Sequence, residues 1–289
     1  MTGHPWPRCS FVAEAAGDPL EGSAPPAQQW FLVEHPGPWG RHAPAGSGID
    51  PAVVDALTTW AGAVGARVLL VRRPGRRPRR GHRWFRVDSR PGRESVRGGE
   101  FTTDAELPAA VHAPGEPVAG PLTLVCAHGR HDTCCAVRGR PVAAALAASA
   151  PGSTWECTHL GGCRFAPAVV LLPHGFALGG LPGPDAVGVV RDYAAGELDP
   201  RWVRGRTSLP PAVQAAQHHA RAATGATGVD ALRPVGVEPD GDGGWRVSLA
   251  DPAIAVRLRE RWVPTGRPLT CAATAPGRMR LFDLLELHE

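Results

Sequence analysis

Cysteine and histidine residues with the spacing of metal ligands occupy the middle of this chain. Of its seven cysteines, four lie between positions 126 and 157 and a fifth follows at position 163. We expect this chain to lie in a reducing compartment, for reasons given below. Structural disulfides are rare there, and clustered thiols are more typical of metal or redox chemistry. We therefore take this segment as the candidate site of chemistry.

The first half of the candidate site is the segment 126–135, CAHGRHDTCC. Cys126 is predicted to end a strand, and Cys135, nine positions later, to lie where a helix begins. Asp132 or Thr133 can cap that helix, which leaves backbone N–H groups of its first turn free to point at sulfur. A helix N-terminus also favours the negative charge of a thiolate. This spacing predicts one ligand on the strand end and one on the facing helix.

The second half is the segment 155–167, WECTHLGGCRFAP. His159 and Cys163 are separated by three residues, so they can bind neighbouring positions on one metal ion. Gly161 and Gly162 between them allow the backbone to pass close to the metal centre and donate N–H groups to it. The candidate ligands are therefore Cys126, Cys135, His159 and Cys163.

The remaining cysteines receive a plainer interpretation. Cys134 and Cys157 are interpreted as packed thiols, although either could replace an assigned ligand. Cys9 and Cys271 are isolated in sequence and are interpreted as structural residues. Positive or titratable side chains near the candidate ligands could tune the site, dock a partner, or belong to a solvated loop. These are His128, Arg130, His131 and Arg164.

The elements that must position the site form an α/β fold. Apolar patterning predicts the order β-α-β-β-β-α over residues 122–126, 135–150, 153–157, 168–172, 176–178 and 185–195. An N-terminal α/β region is predicted from a helix over 51–66 and strands over 29–34, 67–71 and 82–87, and a thioredoxin-like arrangement is one interpretation of it. A small C-terminal α+β region combines a helix over 211–224, a hairpin turn at 240–244, short strands and a helix-like tail. The predicted domains are 1–118, 119–205 and 206–289.

The two cysteine-bearing segments resemble the sucrase/ferredoxin-like family, also named sucraseferredoxin. The resemblance is specific over residues 120–180 and weaker at the segment 30–40, WFLVEHPGPWG, and after residue 206. It implies a thioredoxin-like ferredoxin domain with a [2Fe–2S] cluster, and a cis-proline at Pro167. Relatives bind the cluster through two cysteines and the two histidines of an H-x3-H motif.

Carried over by position, the cluster ligands are Cys126, Cys135, His159 and Cys163. Cys163 departs from the family pattern because it stands where relatives have the second histidine. The resemblance thus implies three thiolates and one imidazole, with a lower reduction potential than a bis-histidine cluster has. The free ring nitrogen of His159 would make the potential pH-dependent.

Several functions follow from this ligand set. The first is an electron carrier, rather than a stand-alone enzyme, that passes single electrons between a reductase and an acceptor. The alternative is a structural or interaction domain stabilised by zinc on the same Cys3His set. A disulfide oxidoreductase is disfavoured because no C-x-x-C motif is present. Sucrose hydrolysis is rejected because no convincing carboxylate pair is found.

The composition of the chain limits the classes of binding partner and the cellular compartment that we expect. All 31 basic residues are arginine, a usage typical of a GC-rich bacterial genome, and the formal charge of +4 does not indicate nucleic-acid binding. The arginine-rich segment 72–83 is interpreted as a solvated hairpin tip, with docking to an acidic redox partner as the alternative. No apolar run approaches the roughly 18 residues of a membrane span, and no signal peptide is recognised, so we expect a cytoplasmic protein.

Overall fold

The computed structural model of the chain describes residues 7–75 and 81–289. Its N-terminal region alternates helices and strands, and a short 3₁₀ turn covers Asp104–Glu106. In chain order the elements are α1 (Cys9–Ala15), β1 (Gln29–Glu34), α2 (Pro51–Val64), β2 (Ala66–Arg72), β3 (His82–Asp88), β4 (Ser95–Phe101), α3 (Leu107–Ala110) and β5 (Glu116–Pro117).

The central module follows the predicted order of elements. Two 3₁₀ turns, Cys163–Phe165 and Pro200–Trp202, interrupt its loops, and the Ala166–Pro167 peptide bond is cis, as the resemblance implied. Its elements are β6 (Leu122–Cys126), α4 (Thr133–Ser149), β7 (Thr154–Cys157), β8 (Val169–Leu172), β9 (Phe176–Leu178), α5 (Gly183–Ala194) and β10 (Val203–Arg206).

The C-terminal region contains one helix and a four-stranded antiparallel sheet, with the strands in chain order. The predicted hairpin turn at 240–244 joins the first two strands. The elements are α6 (Pro211–Thr224), β11 (Arg233–Pro239), β12 (Gly244–Ala250), β13 (Ile254–Pro264) and β14 (Arg278–His288).

A single ten-stranded sheet runs through the N-terminal region and the central module, in the order β10-β9-β8-β6-β7-β2-β1-β3-β4-β5. β6 pairs parallel with β7 and antiparallel with β8, and β1 pairs in the same way with β2 and β3. The two halves therefore share a strand–helix–strand–strand–strand order. They meet where β2 pairs antiparallel with β7, through Val71 opposite Cys157. The predicted α/β fold class is confirmed, whereas the predicted domain boundaries stay a prediction.

Local sequence signals explain where two of the helices begin or end. Asp50 caps α2 by accepting a hydrogen bond from the amide of Ala52 over 2.8 Å, and Pro51 occupies its first turn. Gly65 ends the same helix in the left-handed conformation, with φ of 63°. Asp132 caps α4 by accepting from the amide of Cys134 over 2.9 Å. This cap fixes the point at which the cysteine-bearing helix begins.

The helix-like tail predicted for the end of the chain is wrong. Residues 278–288 form β14, which pairs with β13 from Arg278 opposite Pro264 to His288 opposite Ala255. The leucine-rich tail contains good helix formers, but pairing with the long β13 and burial of Phe282 override that preference. Phe282 packs in the C-terminal core.

Part of the arginine-rich segment 72–83 lies outside the described residues, because these exclude 76–80. The prediction of a hairpin tip for that part therefore has no structural counterpart here. Within the residues that are described, no helix is long and apolar enough to cross a membrane.

Candidate metal centre

The structure brings the four predicted ligands together at one end of the central module. Cys126 ends β6, Cys135 lies in the first turn of α4, and His159 and Cys163 lie in the loop between β7 and β8. The sulfurs of Cys126 and Cys135 and a ring nitrogen of His159 all lie within 4.8 Å of one another. The Cys163 sulfur lies 3.6 Å from Nδ1 of His159. Their role as ligands stays a prediction.

The donor atoms form an elongated group. Cys126 clusters with Cys135 and His159, whereas Cys163 clusters with His159 and His131 on one side and with Cys135 and Asp132 on the other. Cys135 and His159 thus stand between Cys126 at one end and Cys163 at the other. Such a shape can accommodate a group larger than a single ion.

Helix α4 reaches the first ligand only because residue 139 is glycine. A Cβ atom at Gly139 would lie 2.0 Å from the carbonyl oxygen of Cys126, a distance that no packed structure tolerates. The missing side chain therefore allows α4 to approach the end of β6. This contact fixes the positions of Cys126 and Cys135 relative to each other.

Two arginines, Arg204 buried and Arg67 half-buried, hold the loop that carries the other two ligands. Arg67 donates to the carbonyl oxygens of His159 and Leu160 over 2.8 and 2.5 Å, and Arg204 donates to that of Gly161 over 3.0 Å. Burial lowers the pKa of Arg67, and it lowers the pKa of Arg204 to about 9. Because neither arginine is near the motif in sequence, the sequence gives no signal for this arrangement.

The backbone conformation of this loop explains why residues 161 and 162 are both glycine. Gly161 and Gly162 have φ of 102° and 75°, a region that residues with side chains rarely adopt. A Cβ atom at Gly162 would also lie 2.5 Å from the Arg204 guanidinium. Both glycines are therefore needed for the loop to turn and for Arg204 to reach it.

The electrostatics of the site favour the thiolate form at two of its three cysteines. A hydrogen bond with Cys135 lowers the pKa of Cys126, and the same partner lowers the pKa of Cys163 to about 5. Cys135 has a raised pKa because it hydrogen-bonds to both of these sulfurs. Burial alone would lower the pKa of His159, but hydrogen bonds with Cys126 and Cys163 raise it to about 9. Metal binding would displace the remaining protons.

His131 extends the site towards solvent. Its ring stacks on that of His159, with centroids 3.8 Å apart and planes at 22°. A hydrogen bond with Cys163 raises the pKa of His131. Both histidines are partly exposed, whereas the sulfurs belong to residues at most 1% exposed. The imidazole edge is therefore the open side of the centre.

The other residues singled out near the site have different environments. His128 is buried and its Nε2 lies 2.8 Å from the carbonyl oxygen of Gly40, whereas Arg130 is exposed. Arg164 pairs with the buried carboxylate of Asp18 at 3.1 Å. Cys157 is a fully buried thiol whose pKa is raised by burial, and none of the metal-type donor groups found among residues 7–75 and 81–289 includes it.

Cys9 and Cys271, which are isolated in sequence, belong to a second group of donors in the folded chain. The sulfurs of Cys9, Cys134 and Cys271 and the carboxylate of Asp132 all lie within 4.8 Å of one another. Cys134 and Cys135 are adjacent in sequence, but they face different groups. The sequence could not reveal this second group, because Cys9 and Cys271 are 262 positions apart.

Comparison with known proteins gives one match. The model of the family described as sucrase/ferredoxin-like matches residues 20–205, which include all four predicted ligands. No curated protein and no solved structure matches the chain. Cys9 and Cys271 lie outside the matched residues.

Proposed function

The chain belongs to the sucrase/ferredoxin-like family, and on that premise we propose that it is an iron–sulfur electron-transfer protein. Its [2Fe–2S] cluster would be held by Cys126, Cys135, His159 and Cys163. The observation that carries this proposal is the convergence of three thiols and one imidazole in an elongated, largely buried group.

The donor set fits the proposed cluster. Iron–sulfur clusters take thiolate ligands and accept histidine in place of cysteine. A two-iron cluster would need two protein donors for each iron, and Cys126, Cys135, His159 and Cys163 would supply that number. The lowered pKa of Cys126 and Cys163 supports binding as thiolates.

Protein charges around the site suit one-electron reduction. When bound, the cluster would supply one-electron transfer, and the chain would supply position and tuning. Arg67 and Arg204 are cations that reach the ligand loop from β2 and β10, so they would stabilise the extra negative charge of a reduced cluster. Arg67 also holds the His159 backbone in place, and Arg204 holds that of Gly161.

The imidazole edge is the proposed contact point with redox partners. His159 and His131 are the partly exposed members of the site, so electrons would enter and leave there. The exposed Arg41 lies beside His131, whose Nδ1 is 3.2 Å from the Arg41 carbonyl oxygen, and the exposed Arg130 and Arg140 line a cleft together. This basic surrounding supports a reductase and an acceptor with acidic docking faces. All seven cysteines are free thiols in the structure, which is compatible with a cytoplasmic location.

The alternative function is a structural zinc domain on the same residues. It is supported by the three donors of Cys126, Cys135 and His159, which lie within 4.8 Å and could surround one ion. Such a protein would be colourless and would not transfer electrons.

The test is anaerobic expression followed by a visible spectrum and measurement of iron, sulfide and zinc. We expect visible absorption that bleaches with dithionite, and about two irons and two sulfides per chain. Cys126→Ser and His159→Ala should remove or alter this absorption, whereas Cys157→Ala, the matched control at a buried thiol, should retain it. Purified protein without iron and with zinc bound at the four predicted ligands would contradict the proposal.

A further inference from the structure

We propose that the chain carries a second metal site, separate from the cluster site, in which Cys9, Cys134, Cys271 and Asp132 bind one Zn²⁺. The Cys271 sulfur lies 3.3 Å from that of Cys134 and 3.6 Å from that of Cys9. The Asp132 carboxylate oxygens lie 3.9 and 3.8 Å from the Cys9 sulfur.

These distances fit a single tetrahedral ion. Zinc–sulfur bonds of about 2.3 Å place two sulfurs of a tetrahedron about 3.8 Å apart. A disulfide would require about 2.05 Å between sulfurs, well below any separation found here. Three thiolates with one carboxylate are also soft and hard donors that Zn²⁺ accepts together.

Asp132 organises the site as well as completing it. One of its oxygens accepts from the amide of Cys134 over 2.9 Å, and the other accepts from the amide of Cys271 over 2.8 Å. These bonds fix the backbone at two of the three cysteines before any metal binds. Each oxygen retains a lone pair, so the carboxylate can occupy the fourth position of the tetrahedron.

Positive charge lies beside this anionic donor set. Three thiolates and one carboxylate carry four negative charges, of which Zn²⁺ cancels two. Arg164 and Arg267 both bind the buried carboxylate of Asp18, and Arg164 interacts electrostatically with Cys9. The surroundings therefore suit a site that keeps a net negative charge.

The site would fasten distant parts of the chain to the helix that carries the cluster ligand Cys135. Cys9 belongs to α1, Cys134 to the first turn of α4, and Cys271 to the loop between β13 and β14. Zinc would thus hold both terminal regions against the start of α4. The two sites share no proposed ligand, although a carboxylate oxygen of Asp132 also lies within 4.8 Å of the Cys135 and Cys163 sulfurs.

The test measures zinc in the full-length protein purified anaerobically, alongside Cys271→Ser, Cys126→Ser and the control Cys157→Ala. We expect about one zinc per chain in the wild type, in Cys126→Ser and in Cys157→Ala, and a loss of at least about tenfold in Cys271→Ser. Cys271 is partly exposed, so its substitution avoids a buried cavity. Zinc unchanged in Cys271→Ser, or absent from the wild type, would overturn the proposal.

A second measurement needs no variant. The native protein is treated with iodoacetamide, with and without prior zinc chelation, and alkylation of Cys271 is read by mass spectrometry. We expect protection of Cys271 that chelation removes, because a zinc-bound thiolate is a poor nucleophile. Rapid alkylation of this partly exposed thiol before chelation would refute zinc binding, whatever the behaviour of the variants.

Discussion

Two groups of metal-type donors meet at the first turn of α4. Cys135 belongs to the group of predicted cluster ligands, and Cys134 belongs to the group with Cys9 and Cys271. The predicted cluster ligands come from one stretch of chain, residues 126–163. The other group combines residues near both ends of the sequence with residues 132 and 134. The spacing of residues in a local motif predicts its chemistry, whereas a site that tertiary folding assembles from distant residues leaves no such spacing in the sequence.

The surroundings of the two groups differ as much as their origins. The first includes a partly exposed imidazole edge and two arginines that bind the ligand loop. The second has thiols and one carboxylate, whose oxygens already accept two amide bonds. The first environment suits electron exchange with partners, and the second suits a permanent structural link.

The largest effect is expected from Gly139→Ala, which should damage both groups because both depend on α4. The added Cβ would lie 2.0 Å from the Cys126 carbonyl oxygen, so helix and strand must separate. We expect a loss of about 2–3 kcal/mol in the free energy of unfolding, or more, measured by denaturant titration. Gly188→Ala in α5, where a Cβ meets nothing within 4 Å, is the control and should be neutral or slightly stabilising.

Cys126→Ser should affect the metal content of the first group and leave that of the second unchanged. It removes a ligand of the cluster site alone, so we expect loss of most of the iron while zinc stays at about one per chain. Iron, sulfide and zinc analysis of the same sample checks this. Loss of both metals in a chain that remains folded by circular dichroism would mean that the two groups are not independent.

His159→Cys should change the cluster site without emptying it. A fourth thiolate adds negative charge, so we expect a reduction potential lower by on the order of 100 mV, and a loss of its pH dependence. Protein-film voltammetry over a pH series measures both quantities. An unchanged potential would argue against His159 as a ligand.

Arg204→Met should weaken the ligand loop. The change leaves the Gly161 carbonyl without its donor and removes a buried cation, so we expect about 1–3 kcal/mol of destabilisation and a more negative potential. The exposed Arg201→Met is the matched control and should change neither property. If both variants behave alike, the buried guanidinium does not support the site.

The smallest effect is expected from His131→Ala. His131 stacks on His159 and contacts Cys163, so it could take the place of Cys163 as a ligand. We expect the iron content to stay at the wild-type value, with a small change in potential. Iron loss in His131→Ala, together with retention in Cys163→Ser, would reassign this ligand to His131.

Much of the fold was predictable because short-range patterns determine it. The strands Gln29–Glu34, Leu122–Cys126 and Phe176–Leu178 and the helix Pro211–Thr224 match the expected bounds. Residues 278–288 did not follow their helical preference, because β13 provides a pairing partner that only the folded chain supplies.

The candidate site was predictable only in its local part. Spacing and resemblance identified Cys126, Cys135, His159 and Cys163, which the structure brings together. Arg67 and Arg204 could not be found, since each reaches the ligand loop from a distant strand and makes its hydrogen bonds to backbone oxygens. Backbone contacts leave no pattern in the motif itself.

The most direct test of the central claim is electron paramagnetic resonance of the dithionite-reduced protein, with pulsed detection of nitrogen couplings. A [2Fe–2S] cluster on Cys126, Cys135, His159 and Cys163 predicts a single reduced-cluster signal with strong coupling to one histidine nitrogen. That coupling should vanish in His159→Cys while the signal persists. A signal without a histidine coupling, one with two such couplings, or no reduced-cluster signal would contradict the ligand set.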